Sequence, residues 1–67
     1  MEKFAERLRE LRIEKGLSQN ELAKELGLSH AAISRWESGL RQPAASAIIM
    51  LAKYFGVTSD YLLGLED

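Results

Sequence analysis

Five short amphipathic segments, each followed by a glycine, constrain this chain more than any other feature of its sequence. Within the segments, apolar residues recur at spacings of three and four, which is typical of helices, and no stretch has the alternation of a strand. Glycine commonly ends a helix because it adopts the left-handed conformation there without strain. The pattern therefore predicts an all-α fold of five short helices, ending at Gly16, Gly27, Gly39, Gly56 and Gly64.

Capping residues and apolar stripes define these helices further. Ser18, with Glu21 three residues later, forms a capping box that opens the second helix. Ser29 and Thr58 are the expected caps of the third and fifth helices. The predicted inward-facing residues are Phe4, Leu8 and Leu11 in the first helix, Leu22, Ala23 and Leu26 in the second, Ala32, Ile33 and Trp36 in the third, and Ile48, Leu51, Ala52 and Phe55 in the fourth.

Composition excludes several classes of function. The chain has no cysteine and one histidine among 67 residues, so it has no disulfide, no thiolate metal site and no partner for a metal-binding or catalytic histidine. It has no glycine-rich phosphate loop, and its carboxylates lie on amphipathic helices, so we expect neither an enzyme nor a bound cofactor. No apolar run approaches the roughly 20 residues that span a bilayer. We expect a cytoplasmic protein with no membrane partner and no small-molecule ligand.

The distribution of charge matters more than its total. Nine basic and ten acidic residues give a net charge of −1, whereas nucleic-acid-binding domains are commonly basic. Four of the acids, Glu2, Glu6, Glu10 and Glu14, recur every four residues and form one row along the predicted first helix. Because this row gathers much of the negative charge on one surface, the remaining surface is less acidic than the total suggests.

The second and third predicted helices are separated by residues 27–29 alone, the connection of a helix-turn-helix. At about 100° per residue, one side of the third helix carries small or hydrogen-bonding side chains. Reading of the DNA major groove requires such a mixture: short side chains, a donor fork for guanine and a methyl group for thymine. A low-charge surface exposed to solvent has the same composition, so both interpretations remain open at this point. The residues on that side are His30, Ala31, Ser34, Arg35 and Ser38.

Three stretches together resemble a known family. GLSQNELA at residues 16–23, followed by GLS at 27–29, ISRWESG at 33–39 and Pro43, resembles the helix-turn-helix domain of the phage repressor and Cro family, also called the XRE type. GVTSDYLLG at residues 56–64 is similar to the fifth helix of that domain. The resemblance implies one compact five-helix repressor-like domain over residues 1–67, with the helix-turn-helix at about residues 18–38. It also implies a regulator, expected to be a repressor, that binds double-stranded DNA as a homodimer on a palindromic operator.

The resemblance assigns roles to individual residues. His30, Ala31, Ser34 and Arg35 match base-reading positions, although His30 is equally suited to a phosphate or to solvent. Arg12 and Glu37 match an ion pair that joins the first helix to the end of the third. Leu40 departs from the family, in which many members have a basic residue at that position. The predicted phosphate contacts are Gln19, Asn20, Ser29, Ser38 and Arg41.

Two features of the C-terminal half leave alternatives open. The segment after Pro43 lacks a good capping residue, so Gln42 is the expected cap of the fourth helix. One interpretation is an apolar patch on the fourth and fifth helices that is suited to a second subunit. The alternative is that Leu62 belongs to the core and the other residues are exposed individually without forming a patch. The predicted dimer surface consists of Met50, Tyr54, Tyr61 and Leu65, with Leu62 as a further candidate.

A second class of function competes with DNA binding. The same fold serves as a protein-interaction module, such as a bridging factor or an antitoxin subunit. The net charge of −1, the acidic row and Leu40 favour this interpretation, whereas Gln19, Arg35 and Arg41 on one side favour DNA. The composition of the third helix makes DNA the preferred partner.

Overall fold

The computed structural model describes residues 2–67, which form five α-helices and no strand. The helices are α1 (Glu2–Glu14), α2 (Gln19–Leu26), α3 (His30–Ser38), α4 (Ala45–Phe55) and α5 (Ser59–Leu63). The predicted all-α fold with five helices is confirmed. Among the residues described, no helix is long and apolar enough to cross a membrane.

Three of the predicted caps form as the sequence indicates. The Ser18 hydroxyl accepts a hydrogen bond from the Glu21 backbone N–H at 3.0 Å, and the Ser18 N–H donates to the Glu21 carboxylate at 2.8 Å. The hydroxyls of Ser29 and Thr58 accept from the backbone N–H three residues further along the chain. These bonds satisfy N–H groups that have no partner within the helix, and so they determine where α2, α3 and α5 begin.

The expected cap of α4 was wrong. Ala44 occupies the capping position, with no side-chain hydrogen bond, and the helix begins at Ala45. Gln42 therefore lies two residues before the position from which a side chain caps a helix. The backbone carbonyl of Ala44 still accepts from the N–H groups of Ala47 and Ile48, so the first turn forms without a side-chain cap.

The core draws on all five helices. Phe4 of α1 packs edge-on against Trp36 of α3, with ring centroids 6.3 Å apart, which makes Trp36 a core anchor. Leu62 of α5 is fully buried, so it belongs to the core and not to an exposed patch. The predicted inward residues Leu11, Leu26 and Phe55 are partly buried against this core. The buried residues are Phe4, Leu8, Leu22, Ala23, Ile33, Trp36, Ile48, Leu51, Ala52 and Leu62.

Close packing joins the start of α1 to the end of α5. Gly64 ends α5 with φ 80°, and a Cβ at this position would lie 2.5 Å from the Cβ of Lys3. One turn further along α1, the Arg7 guanidinium lies 4.2 Å from the centre of the Tyr61 ring and donates to the Tyr61 carbonyl at 2.7 Å. Arg7 also donates to the carbonyl of Glu66. The C-terminal residues are thereby held against α1.

Candidate nucleic-acid interface

The turn between α2 and α3 orients the third helix. Gly27 adopts a left-handed conformation with φ 69°, and its N–H donates to carbonyls of the last turn of α2. The N–H of Leu28 donates to the Ala23 carbonyl at 2.8 Å, which completes the helix end. Ser29 then caps α3 directly by accepting from the Ala32 N–H, so a short turn joins the two helices.

One side of α3 is anchored in the core and the other faces outward. Ile33 is fully buried and Trp36 is 9% exposed. Because Phe4 packs on Trp36, α1 lies on the inner side of α3. The outward side, here termed the reading face, has no acidic residue in its first turn. The reading face comprises the exposed residues His30, Ala31, Arg35 and Ser38 and the partly exposed Ser34.

The loop after α3 folds back beside the reading face. The backbone N–H of Arg41 donates to the Arg35 carbonyl at 3.3 Å, so two arginines are adjacent at the end of the helix. Both line a surface cleft of about 340 Å³ that also includes Ser29 and Trp36. The cleft therefore combines two positive charges with a helix N-terminus, an environment suited to an anion such as a phosphate. Leu40, the departure from the family, is 81% exposed in this loop.

The remaining predicted phosphate contacts differ in how free their side chains are. Asn20 and Ser29 are exposed, and the Ser29 hydroxyl accepts its capping bond, so its own proton remains available to a phosphate. The Ser38 hydroxyl instead donates to the Arg35 carbonyl at 3.2 Å. Contact between Ser38 and a phosphate therefore requires this hydroxyl to rotate. Gln19, the first residue of α2, is partly buried.

A buried carboxylate connects three helices behind the reading face. Glu37 accepts from Arg12 Nε at 2.6 Å and from Arg12 Nη2 at 3.0 Å, a two-pronged ion pair. The hydrogen bond with Glu37 raises the pKa of Arg12 and outweighs the opposing effect of burial. Gln19 Nε2 donates to the same carboxylate at 3.0 Å. We call Arg12, Gln19 and Glu37 the carboxylate network.

The sequence did not predict that Gln19 belongs to this network. Gln19 and Glu37 are 18 positions apart, on helices whose relative orientation is set by the turn at residues 27–29. No local spacing rule brings such residues together.

The acidic row lies on a helix that packs behind α3. Glu6, Glu10 and Glu14 are exposed along α1, whereas the side chain of Glu2 lies outside the described residues. Because α1 contacts the buried side of α3, its carboxylates are on a different element from the reading face, and of these Glu6 lines a surface cleft together with Ser38 at the end of that face. Within residues 2–67, no group of three or more His, Cys, Asp or Glu side chains is arranged to hold a metal ion.

The residues of the predicted dimer surface differ in their exposure and in the contacts that they make. Leu65 is 72% exposed and Met50 is partly buried. The Tyr54 hydroxyl donates to Glu25 at 3.0 Å, and Arg7 covers the Tyr61 ring. Ile49, which the sequence pattern does not single out, is 52% exposed and lines an apolar groove of about 360 Å³. The groove is lined by Pro43, Ala45, Ile48, Ile49, Ser59 and Leu63.

A family model described as helix-turn-helix matches residues 8–62. The chain is 44% identical over 64 residues to the transcriptional activator BcrR of Enterococcus faecalis, covering 96% of this chain and 31% of BcrR. It is 43% identical over 61 residues to the transcriptional regulator AnsR of Bacillus subtilis, covering 91% of this chain and 53% of AnsR. The chain thus spans 31% of the length of BcrR and 53% of the length of AnsR.

Two solved structures have the same fold. The restriction-modification controller protein C.AhdI from Aeromonas hydrophila superposes with a TM-score of 0.80 at 39% identity, over 91% of this chain and 92% of that one. The P22 c2 repressor, solved in complex with a synthetic operator, superposes with a TM-score of 0.81 at 34% identity, over 88% of this chain and 89% of the repressor. The similarity extends over the helix-turn-helix and the helices around it.

Proposed function

Since the chain belongs to the helix-turn-helix family, of the phage repressor and Cro type that its sequence resembles, we propose that it regulates transcription by binding double-stranded DNA sequence-specifically. The family consists of transcription regulators and not of enzymes. The observation that carries the proposal is the reading face of α3, which is exposed and free of carboxylates while the opposite side of the helix is locked into the core. A helix of this kind enters the major groove with its first turns against the base edges.

The base contacts follow from the chemistry of the reading face. Arg35 has the donor fork that pairs with O6 and N7 of guanine. Ala31 offers a methyl group to thymine, and Ser34 and His30 offer hydrogen bonds to base edges. All four residues lie within two turns of α3, so a single docked helix brings them to adjacent base pairs.

Phosphate contacts on both sides of α3 would hold the helix in register. Gln19 and Asn20 lie at the N-terminus of α2, where backbone N–H groups also favour an anion. Ser29, Ser38 and Arg41 surround the ends of α3. Such contacts carry no sequence information themselves, but they fix the orientation of the helix that does.

The proposed regulator is a homodimer that represses transcription from a palindromic operator. Two copies of α3 would then be about 34 Å apart and read successive turns of the major groove. The exposed Leu65, the partly buried Met50 and the apolar groove with Ile49 offer apolar surface for the second copy, with Tyr54 and Tyr61 at its border. The P22 c2 repressor, which was solved in complex with a synthetic operator, supports DNA as the partner. Such a regulator acts in the bacterial cytoplasm, on chromosomal or phage DNA.

A protein-interaction module on the same fold is the second candidate. Leu40 is 81% exposed next to Arg41 and places an apolar side chain where many members of the family have a basic one. The exposed carboxylates of α1 add a surface that DNA would repel. A module of this class would fold identically but select no DNA sequence.

Selection of bound duplexes from a randomised library separates the two candidates. The wild-type protein and Arg35→Ala are selected in parallel at about 0.1 M salt, where phosphate contacts still contribute. We expect a palindromic motif for the wild type and its loss or relaxation in the variant. Absence of any enriched motif, with the protein shown to be folded by circular dichroism, would favour the protein-interaction module.

A further inference from the structure

The carboxylate of Glu37 is almost completely enclosed by donors. Its side chain is 4% exposed, and it accepts hydrogen bonds from Arg12 Nε, Arg12 Nη2 and Gln19 Nε2. Two of these donors belong to an ion pair that holds α1 to α3. The third donor comes from the first residue of α2, at the edge of the proposed DNA interface. A buried carboxylate is stabilised when further donors satisfy its remaining lone pairs, and here the donor that does so belongs to a residue at the proposed interface.

From this geometry we infer that Glu37 is a positioning residue for DNA binding, which fixes the side-chain amide of Gln19 toward a DNA phosphate. The inference rests on the proposed function. An ionised carboxylate only accepts hydrogen bonds, so it holds the Nε2 end of the amide and repels the Oε1 end. Nε2 carries two protons. One is bound to Glu37, and the other remains to donate to a phosphate oxygen.

Fixing the amide in advance avoids two costs of binding. A free glutamine side chain must be ordered when DNA arrives, and half of its amide orientations present an oxygen to the phosphate. Glu37 removes both costs because the orientation is set in the free protein. Arg12 makes this arrangement compatible with DNA, since its charge neutralises the carboxylate that would otherwise repel the phosphate.

Arg12 also holds the backbone on which Gln19 is mounted. Its Nη1 donates to the Leu17 carbonyl at 2.7 Å, two residues before Gln19. The Leu17 N–H in turn donates to the Arg12 carbonyl at 3.1 Å. The network thus controls both the backbone entering α2 and the direction of its first side chain.

A double-mutant cycle on DNA affinity tests the inference. Gln19→Ala, Glu37→Gln and the double variant are compared with the wild type on the selected DNA site at one salt concentration. We expect a coupling of roughly two- to tenfold in Kd, because a net hydrogen bond is worth about that much. The lost negative charge of Glu37 affects both backgrounds equally and cancels in the cycle. Additive losses would overturn the positioning role while leaving DNA binding established.

A control cycle uses Tyr54, whose hydroxyl joins α4 to Glu25 of α2. Tyr54→Phe removes one interhelical hydrogen bond to the same helix without touching the network. We expect no coupling between Tyr54→Phe and Gln19→Ala. Equal coupling in both cycles would mean that any weakening of α2 acts through Gln19, and it would overturn the inference.

A second variant keeps the test informative if Glu37→Gln does not fold. Arg12→Met combined with Glu37→Met replaces the ion pair by apolar side chains, a change that is often neutral or stabilising. This pair removes the acceptor of Gln19 as well. In the wild-type background, the double substitution should lower DNA affinity by about the same factor as Glu37→Gln. It should have no such effect when Gln19 is replaced by alanine.

Nuclear magnetic resonance reads the amide directly in the protein without DNA. The Gln19 side-chain protons should resonate apart from those of the exposed Gln42 and approach them in Glu37→Gln. Identical shifts for both glutamines in the wild type would overturn the fixed orientation. A wild-type protein that holds the amide but binds no DNA would instead overturn the proposed function and, with it, the role of the network in binding.

Discussion

At the scale of single residues, the position of a side chain in its helix decides what it contributes. Ser18 and Glu21 satisfy each other's backbone N–H groups only because three residues separate them at the start of a helix. The Ser18 backbone N–H, and to a smaller extent the Ser18 hydroxyl, lower the pKa of the Glu21 carboxyl. Because these hydrogen bonds depend on local spacing, the sequence predicted this cap and those at Ser29 and Thr58 correctly.

Replacing the cap of α2 should weaken the fold and change its response to acid. Ser18→Ala is expected to cost about 0.5–2 kcal/mol in the free energy of unfolding, measured by urea denaturation at pH 7. Because folding lowers the pKa of Glu21, the ionised carboxylate stabilises the fold at pH values above the pKa that Glu21 has in the unfolded chain. This stabilisation is lost as the pH falls through the lower pKa of Glu21 in the folded state. Ser18→Ala keeps the Ser18 N–H, which is the largest cause of the lowered pKa, and removes only the smaller effect of the hydroxyl. The variant should therefore lose slightly less stability than the wild type between neutral and acidic pH.

The control for this variant is Ser46→Ala, which changes an exposed serine that is not at a capping position. It should leave both the stability at pH 7 and the acid response close to those of the wild type. Equal effects of the two substitutions would contradict the assignment of Ser18 as the cap.

The ion pair between Arg12 and Glu37 should be costly to break from one side only. Arg12→Met leaves a carboxylate that is 4% exposed without its cation, which is expected to cost about 3–5 kcal/mol. Arg12→Met with Glu37→Met should recover most of that loss. Thermal and urea denaturation measure both, and a double variant as unstable as the single one would show that packing and not charge is what the pair contributes.

At the scale of helices, α4 is the element whose start is least well defined. Its capping residue, Ala44, makes no side-chain hydrogen bond, and its stability comes from the buried residues Ile48, Leu51 and Ala52. The sequence showed that a good cap was missing but suggested Gln42 in its place. The error arose because capping depends on the exact first residue of the helix, which apolar periodicity does not determine.

Supplying the missing cap should stabilise the protein. Ala44→Ser places a hydroxyl at the capping position and is expected to raise the free energy of unfolding by about 0.5–2 kcal/mol. Ala45→Ser puts the same hydroxyl on the first helical residue, where it cannot cap, and serves as the matched control. Urea denaturation compares the two, and a gain that is no larger for Ala44→Ser would contradict the observed start of α4.

The shortest helix shows another limit of sequence-based prediction. With five residues, α5 is too short for its apolar periodicity to separate inward from outward positions. The sequence therefore allows Leu62 to lie either in the core or in an exposed patch. In the structure Leu62 is completely buried, so it belongs to the core. The hydrogen bond from Gln19 to Glu37 could not be predicted for a different reason, because 18 positions separate the two residues and no local spacing rule joins them.

At the scale of the whole molecule, function depends on where charges lie and not on their total. The net charge of −1 would argue against DNA if it were spread evenly. The exposed acids of α1 lie on a helix behind α3, while Arg35 and Arg41 meet beside the reading face. Composition alone predicts neither the position of the acids nor that of the arginines. The helical periodicity of the acids indicated that they lie together on α1, and the polar side of α3 indicated where the reading face is.

We propose that the reading face of α3 recognises bases while the loop after α3 contacts the DNA backbone. The decisive measurement is the Kd of Arg35→Ala and of Arg41→Ala. Each variant is measured on the selected site, on each single-base variant of that site and on random DNA. Arg35→Ala should weaken specific binding by about 1–3 kcal/mol and relax one base position, whereas Arg41→Ala should weaken all sequences about equally and reduce the salt slope by about one. Equal losses on specific and random DNA for both variants would contradict the account.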